Sequence, residues 1–180
     1  MNRFSLLTAA LTLVAAPALA AGNLLLTSPL VQEGAELPRS AAGNINGCNG
    51  QNISPTLDWS GAPEGTKSYA LSLFDPDAPD GGAVHWVVLN IPPIPSTLPP
   101  DSGNPDKLPQ GVNVLPNSFG TDTYVGPCSP DGQLHRYEFT LYAMPDAQVF
   151  YPLSAVGPST IQWLHDHAIE STTLTVKYGR

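Results

Sequence analysis

Basic residues are scarce in this chain. Lysine and arginine number 7 against 15 aspartates and glutamates, a formal net charge of -8 over 180 residues. The cations, Arg3, Arg39, Lys67, Lys107, Arg136, Lys177 and Arg180, are scattered and never form a run. Nucleic acid and anionic membrane surfaces both demand clustered Lys and Arg, so neither is an expected partner. Beyond the first twenty residues no apolar run is long enough to span a bilayer, so no membrane span is expected. Catalytic signatures are missing too. Without a G-x-S-x-G elbow an α/β-hydrolase triad has no support. Asp75, Asp77, His85 and His135 match no zinc-ligand spacing, and no cofactor or metal is expected. Cysteine is nearly absent, with only Cys48 and Cys128. Sequence spacing carries no distance, so the residues leave open both a disulfide and two buried thiols that never meet.

What is present begins with "MNRFSLLTAALTLVAAPALA". One positive charge, an apolar run and small residues at Ala18 and Ala20 read as a secretory signal peptide over residues 1–20. Its removal leaves six basic and fifteen acidic groups, a net charge of -9 on residues 21–180. Those residues are expected to form one domain, periplasmic or secreted.

The 20 prolines and 16 glycines favour strands and turns over long helices. Strands are predicted at 67–75, 84–91, 135–144 and 172–179, with weaker ones at 23–28 and 56–60. The run 84–91 is apolar throughout, which predicts burial on both faces. One helix is predicted over 159–171, capped by Ser159 or Thr160, with Ile161, Leu164 and Ala168 on its apolar stripe. His165 and His167 diverge at helical spacing and read as a solvated face. The stretch between the second and third strong strands, some forty residues, is too long for a plain connector. The expected fold class is mainly β, an antiparallel sheet or sandwich with a helix near the C-terminus.

The chemistry concentrates in "DPDAPDGGAVHW", residues 75–86. Asp75 ends a strand, and Pro76 and Pro79 stiffen the turn after it. Asp75 and Asp77 either serve a site or merely cap turn N–H groups. His85 shares parity with Val87 and Leu89, which points it into their packed face. His135 and Tyr137 share a face of the third strong strand, so an imidazole and a phenol project from one strand end. Convergence of these groups would build a small anion pocket, N–H and O–H donors in an apolar setting. "NIS", 52–54, is formally a glycosylation acceptor.

"DPDAP", then "HWVVLNIP", then "YVGPCSPDGQLHRYEFTLYAM" resembles the phosphatidylethanolamine-binding protein family, which includes the Raf kinase inhibitor protein. "GCNGQNISPTLDWSGAPEGTKSYAL" and the closing "YGR" resemble its bacterial branch. The resemblance spans nearly all of residues 21–180. It implies a large antiparallel sheet packed on a smaller one, with C-terminal helical structure. It also implies a pocket for small anions or phosphorylated head groups, formed by Asp75, Pro79, His85, Gly126, His135 and Tyr137, with a cis Ala78–Pro79 peptide. Arg136, by parity, should point away. Two departures stand out: "DGGAV" replaces the tryptophans many bacterial relatives carry before the pocket histidine, and Ser129 replaces a proline in "GPCSP".

Three functions are thus in view: an exported, non-catalytic binding protein for a small anion or phosphorylated head group; a protein-interaction module, such as a protease inhibitor or signalling modulator, acting as monomer or homodimer; and, least supported, a hydrolase with a histidine base.

Overall fold

Alternating β-branched, aromatic and leucine residues dictate strands, and the strands assemble into two antiparallel sheets. The computed structural model describes residues 23–152 and 157–180, so the expected leader, residues 1–20, lies outside the described residues. The elements, in chain order, are β1 (Leu25–Thr27), β2 (Leu57–Ser60), β3 (Ser68–Asp75), β4 (Ala83–Ile91), β5 (Thr97–Leu98), a 3-10 turn (Pro105–Lys107), β6 (Asn113–Val114), β7 (Leu134–Met144), α1 (Pro158–His167) and β8 (Glu170–Gly179). The small sheet runs β1-β2-β5 and the large one β6-β4-β3-β7-β8.

One core lies between the sheets. Tyr69, Leu71 and Leu73 of β3, Trp86 and Val88 of β4 and Phe139 and Leu141 of β7 meet Leu26, Leu57 and Trp59 of the small sheet. A second core lies between the large sheet and α1, where Val87, Leu89, Tyr142 and Leu164 pack. The large sheet is therefore buried on both faces, and β4 is buried on both, as its apolar run predicts. The outer edge of β8 is covered by the loop after β1: Gly34 N donates to Thr175 O at 2.8 Å and Leu37 N to Lys177 O at 2.8 Å. Capping an edge in this way blocks strand addition there.

The helix corrects two expectations: it ends at His167, with Ala168 as its C-cap, because residues 170 and 171 belong to β8, and its start is capped differently. Neither Ser159 nor Thr160 caps it. Gly157 occupies the cap with φ 124° and no side-chain bond, and Pro158 opens the first turn. Proline suits that position because its missing N–H would be unpaired there anyway. The long stretch after β4 holds β5, the 3-10 turn and β6, too short to show periodicity. Among the described residues no helix is long and apolar enough to cross a membrane.

Candidate functional site

The site forms where the ends of β3, β4 and β7 meet one rim of the inter-sheet core. β3 pairs with β7 in unbroken register, Leu73 opposite Phe139 and Phe74 opposite Glu138. Extending that register sets Asp75 opposite Tyr137, with His135 diagonally across on the same face of β7. The Asp75 carboxylate, 3% exposed, is fully used. Its Oδ1 accepts from Asp77 N at 2.9 Å and Ala78 N at 3.1 Å, and its Oδ2 accepts from His135 Nδ1 at 2.8 Å. Asp75 thus both caps the turn and orients an imidazole. The expected cis Ala78–Pro79 peptide is not found: the bond is trans, and Ile94–Pro95 is the cis one among the described residues. The turn closes through two amides onto Asp75, a geometry that asks nothing of the Pro79 peptide.

Asp77 faces outward. Both its oxygens pair with the Arg136 guanidinium, at 2.7 and 3.0 Å, and one accepts from Arg136 N at 2.8 Å. These bonds hold its carboxyl at about 2, well below the usual carboxylate range. Arg136 points away from the pocket, as parity requires, and pins the turn from outside.

His85 departs from its parity. Leu73 stands opposite Trp86 but Phe74 stands opposite Val84, so His85 is the extra residue of a β-bulge. A bulge re-aims a side chain. It turns His85 away from the Val87 and Leu89 face and sets its ring edge-on to Tyr137, centroids 5.3 Å apart. Val125 brackets the residue: its N–H donates to His85 O at 3.1 Å, and its carbonyl accepts from His85 Nδ1 at 2.7 Å. A carbonyl can only accept, so Nδ1 carries the proton and Nε2 is the nitrogen left for chemistry. Burial pushes the His85 pKa below the ordinary 6.5, and the Val125 carbonyl and Asp75 carboxylate only partly oppose this. The unfolded chain therefore takes up a proton near 6.5 while the folded chain resists. Stability is full above that pH and is lost as pH falls from it toward the lowered folded value. Thermal unfolding from about pH 7.5 to about pH 5 is expected to show His85→Gln losing less stability than the unsubstituted protein.

The remaining walls come from the long loop. A cavity of about 440 Å³ is bounded by Asp75, the turn Ala78–Pro79–Asp80, Gly82–Ala83, His85, Ser118, Phe119, Cys128, Pro130 and His135. Gly82 has φ 109°, and a Cβ there would lie 2.3 Å from the Phe74 ring, so only glycine passes. Phe119, 39% exposed, stands edge-on to His85 at 4.9 Å and supplies an aromatic wall. Nothing in its loop announces this wall in the sequence. Asn117 folds that loop: its Oδ1 accepts from Phe119 N at 2.9 Å and Thr121 N at 3.1 Å, and its Nδ2 donates to Thr123 O at 2.9 Å.

Tyr137 and Gly126 do not wall the cavity. Tyr137 is fully buried beneath the two histidines, and among the described residues its hydroxyl has no hydrogen-bond partner. Burial first, then the Asp75 carboxylate, drive its pKa far above the usual phenol range. Gly126 permits close packing instead. A Cβ on it would lie 2.4 Å from Ala41 O, and its N–H donates to Asn52 Oδ1 at 2.7 Å. Asn52 also donates from Nδ2 to Tyr124 O at 3.0 Å, so it grips both sides of Val125 and through it His85. A glycan on that nitrogen would break the grip, which makes "NIS" a structural element. Cys48 and Cys128 form a disulfide, Cα atoms 5.9 Å apart, that ties this layer to the cavity lip. Among the described residues no group of three or more His, Cys, Asp or Glu is placed to hold a metal ion.

Comparison with known proteins agrees with this architecture. YbcL of Escherichia coli is 38% identical over 156 residues, covering 84% of this chain and 85% of that protein. Its crystal structure, described as a new member of the mammalian PEBP family, superposes with a TM-score of 0.81 at 37% identity, covering 87% of this chain and 98% of that one. LppC of Mycobacterium tuberculosis, a lipoprotein by name, is 39% identical over 149 residues, 81% of this chain and 67% of that protein. The family profile described as phosphatidylethanolamine-binding protein matches residues 27–179, and with the fold and these relatives this places the chain in the phosphatidylethanolamine-binding protein family.

Proposed function

We propose that the chain is an exported, non-catalytic binding protein that takes a small oxyanion or phosphorylated head group into the cavity between His85 and His135. The carrying observation is the pair of imidazoles, each anchored through Nδ1, one on the Val125 carbonyl and one on the Asp75 carboxylate. Anchoring fixes both rings and reserves Nε2 on each as a donor when protonated. Tyr137 supports the reading with a buried hydroxyl beneath the rings that has no partner among the described residues. An Asp–His pair can also serve a nucleophile, but among the described residues neither ring is bonded to a hydroxyl or thiol. Cys128, at the cavity wall, is locked in the disulfide. Asp80 on the rim adds a carboxylate. A head group with a cation beside its phosphate gains from it, whereas bare phosphate is repelled.

Titration calorimetry tests this. Phosphoethanolamine is expected to bind more tightly than inorganic phosphate, and both more tightly as pH falls, because Nε2 donates only when protonated. His85→Ala and His135→Ala each remove a donor to a charged ligand, a loss of about 1.5–3 kcal/mol, or roughly ten- to a hundredfold. Tyr137→Phe is expected to cost less. Wild-type affinity in both histidine variants would reduce the rings to core residues.

Export rests on the leader-like residues 1–20, on the disulfide, which persists in oxidising compartments, and on the lipoprotein relative. Mass spectrometry of protein from the periplasm or medium is expected to show Ala21 as the first residue. Soluble cytosolic protein that retains Met1 would refute export.

A further inference from the structure

We propose that Gln133 is a built-in competitor for the anion: its side-chain amide occupies the Nε2 edge of His135, and a ligand binds there by displacing it. This rests on the anion reading of the site. His135 has two ring contacts. Nδ1 meets Asp75 and is permanently engaged, and Nε2 meets Gln133 Oε1 at 3.1 Å. Nε2 is thus the nitrogen a ligand must use, and the protein already covers it.

The contact is built by the backbone. Gln133 immediately precedes β7 and His135 lies two residues on, and the contact between them sets both side chains on one face. The main chain of Gln133 is fixed on both sides: its N–H donates to Pro130 O at 3.1 Å, and its carbonyl accepts from Ser129 Oγ at 3.0 Å. The single hydroxyl proton of Ser129, 1% exposed, is shared with Tyr178 O at 3.1 Å, which ties the turn to β8. A proline at 129 would have no hydroxyl for either bond. The departure from the family pattern at Ser129 and the cap on His135 are therefore one device. The end of the device is loose, because the Gln133 side chain is exposed and held by a single bond at its tip.

The chemistry of the amide makes it an effective competitor. A primary amide carries an acceptor and two donors, so by turning over it pairs with Nε2 whether that nitrogen is protonated or bare. An ionised oxygen of the ligand only accepts, so it gains from Nε2 in the protonated ring alone. Gln133 thus favours ligands whose charge outweighs one neutral hydrogen bond and rejects weak neutral acceptors. Its removal relaxes that filter.

The test measures inorganic phosphate and phosphoethanolamine binding by calorimetry on the disulfide-intact protein and on Gln133→Ala and Gln133→Glu. The ligand-free ¹⁵N resonances of His135 are recorded in parallel. Gln133→Ala is expected to bind both ligands about three- to tenfold more tightly, the loss of one competing hydrogen bond. Gln133→Glu is expected to bind more weakly than wild type, since a fixed carboxylate holds the ring and repels the anion. The His135 Nε2 resonance is expected to shift in ligand-free Gln133→Ala. Equal or weaker binding by Gln133→Ala overturns the proposal, the weaker case making Gln133 a ligand contact. An unmoved Nε2 resonance overturns it while leaving the anion site intact. If wild type and Gln133→Ala both fail to bind either ligand, the anion reading itself falls, and the competitor with it.

Discussion

Asp75→Asn weakens anion binding by about ten- to a hundredfold while the fold survives; Asp75→Ala destabilises the protein by about 3–5 kcal/mol. The difference comes from the bonds the carboxylate makes. Its Oδ1 serves two turn amides, and its Oδ2 accepts the His135 Nδ1 proton, all in a group 3% exposed. Asn keeps one oxygen, which can still cap the turn. It places an NH₂ against Nδ1–H, donor against donor. The ring must then turn, or carry its one proton on Nε2 without the carboxylate that holds a protonated ring by a charge-assisted bond; either change weakens the cationic donor offered to the anion. Ala removes every acceptor and leaves two amides and an imidazole N–H unpaired in a buried place. Calorimetry with phosphoethanolamine and chemical denaturation of both variants separate the two effects. Asn at wild-type affinity would show that the His135 orientation does not matter for binding. Ala at wild-type stability would show that water replaces the carboxylate at no cost.

Removing the disulfide has the second large effect. The Cys48–Cys128 bridge spans a sequence separation of 80. A loop of that length lowers the entropy of the unfolded chain by about 4–5 kcal/mol at room temperature in the chain-entropy treatment. The Cys48→Ser, Cys128→Ser double variant is expected to lose stability of that order in denaturant unfolding. The bridge also anchors the lip of the cavity, where Gly43 N donates to Pro127 O at 2.8 Å and Cys128 forms part of the wall. Phosphate affinity should therefore fall in the same variant under conditions where it remains folded. Two alkylatable thiols in the native protein without reductant would show that the bridge is not formed in solution.

The strong strands were legible because their periodicity is strong. Residues 67–75, 84–91, 135–144 and 172–179 are β3, β4, β7 and β8 to within two residues, and the weaker 23–28 and 56–60 contain β1 and β2. β5 and β6, two residues each, were not, since two residues carry no period. His135 and Tyr137 were placed on one face by simple alternation, and Arg136 on the other. His85 was misplaced by the same rule, because a bulge in β4 breaks alternation at that residue and leaves no mark in composition. Phe119, Asn52 and Gln133 were missed as parts of the site. Each acts across a gap in sequence or through a turn whose closure depends on partners elsewhere.

Local sequence by itself determined the strands, the apolar helix stripe, the stiff Asp75–Pro79 turn and the scarcity of cations. These depend on φ restriction, side-chain period and charge count, all properties of neighbours along the chain. The tertiary structure alone decided which nitrogen of each histidine is anchored at depth and which carboxylate meets the imidazole and which the guanidinium. It also decided that the cysteines meet and that Gln133 covers His135. Hydrogen bonds and disulfides need approach within a few ångströms. Residues 60 apart, such as Asp75 and His135, reach that distance only after the β3–β7 register has closed the loop between them.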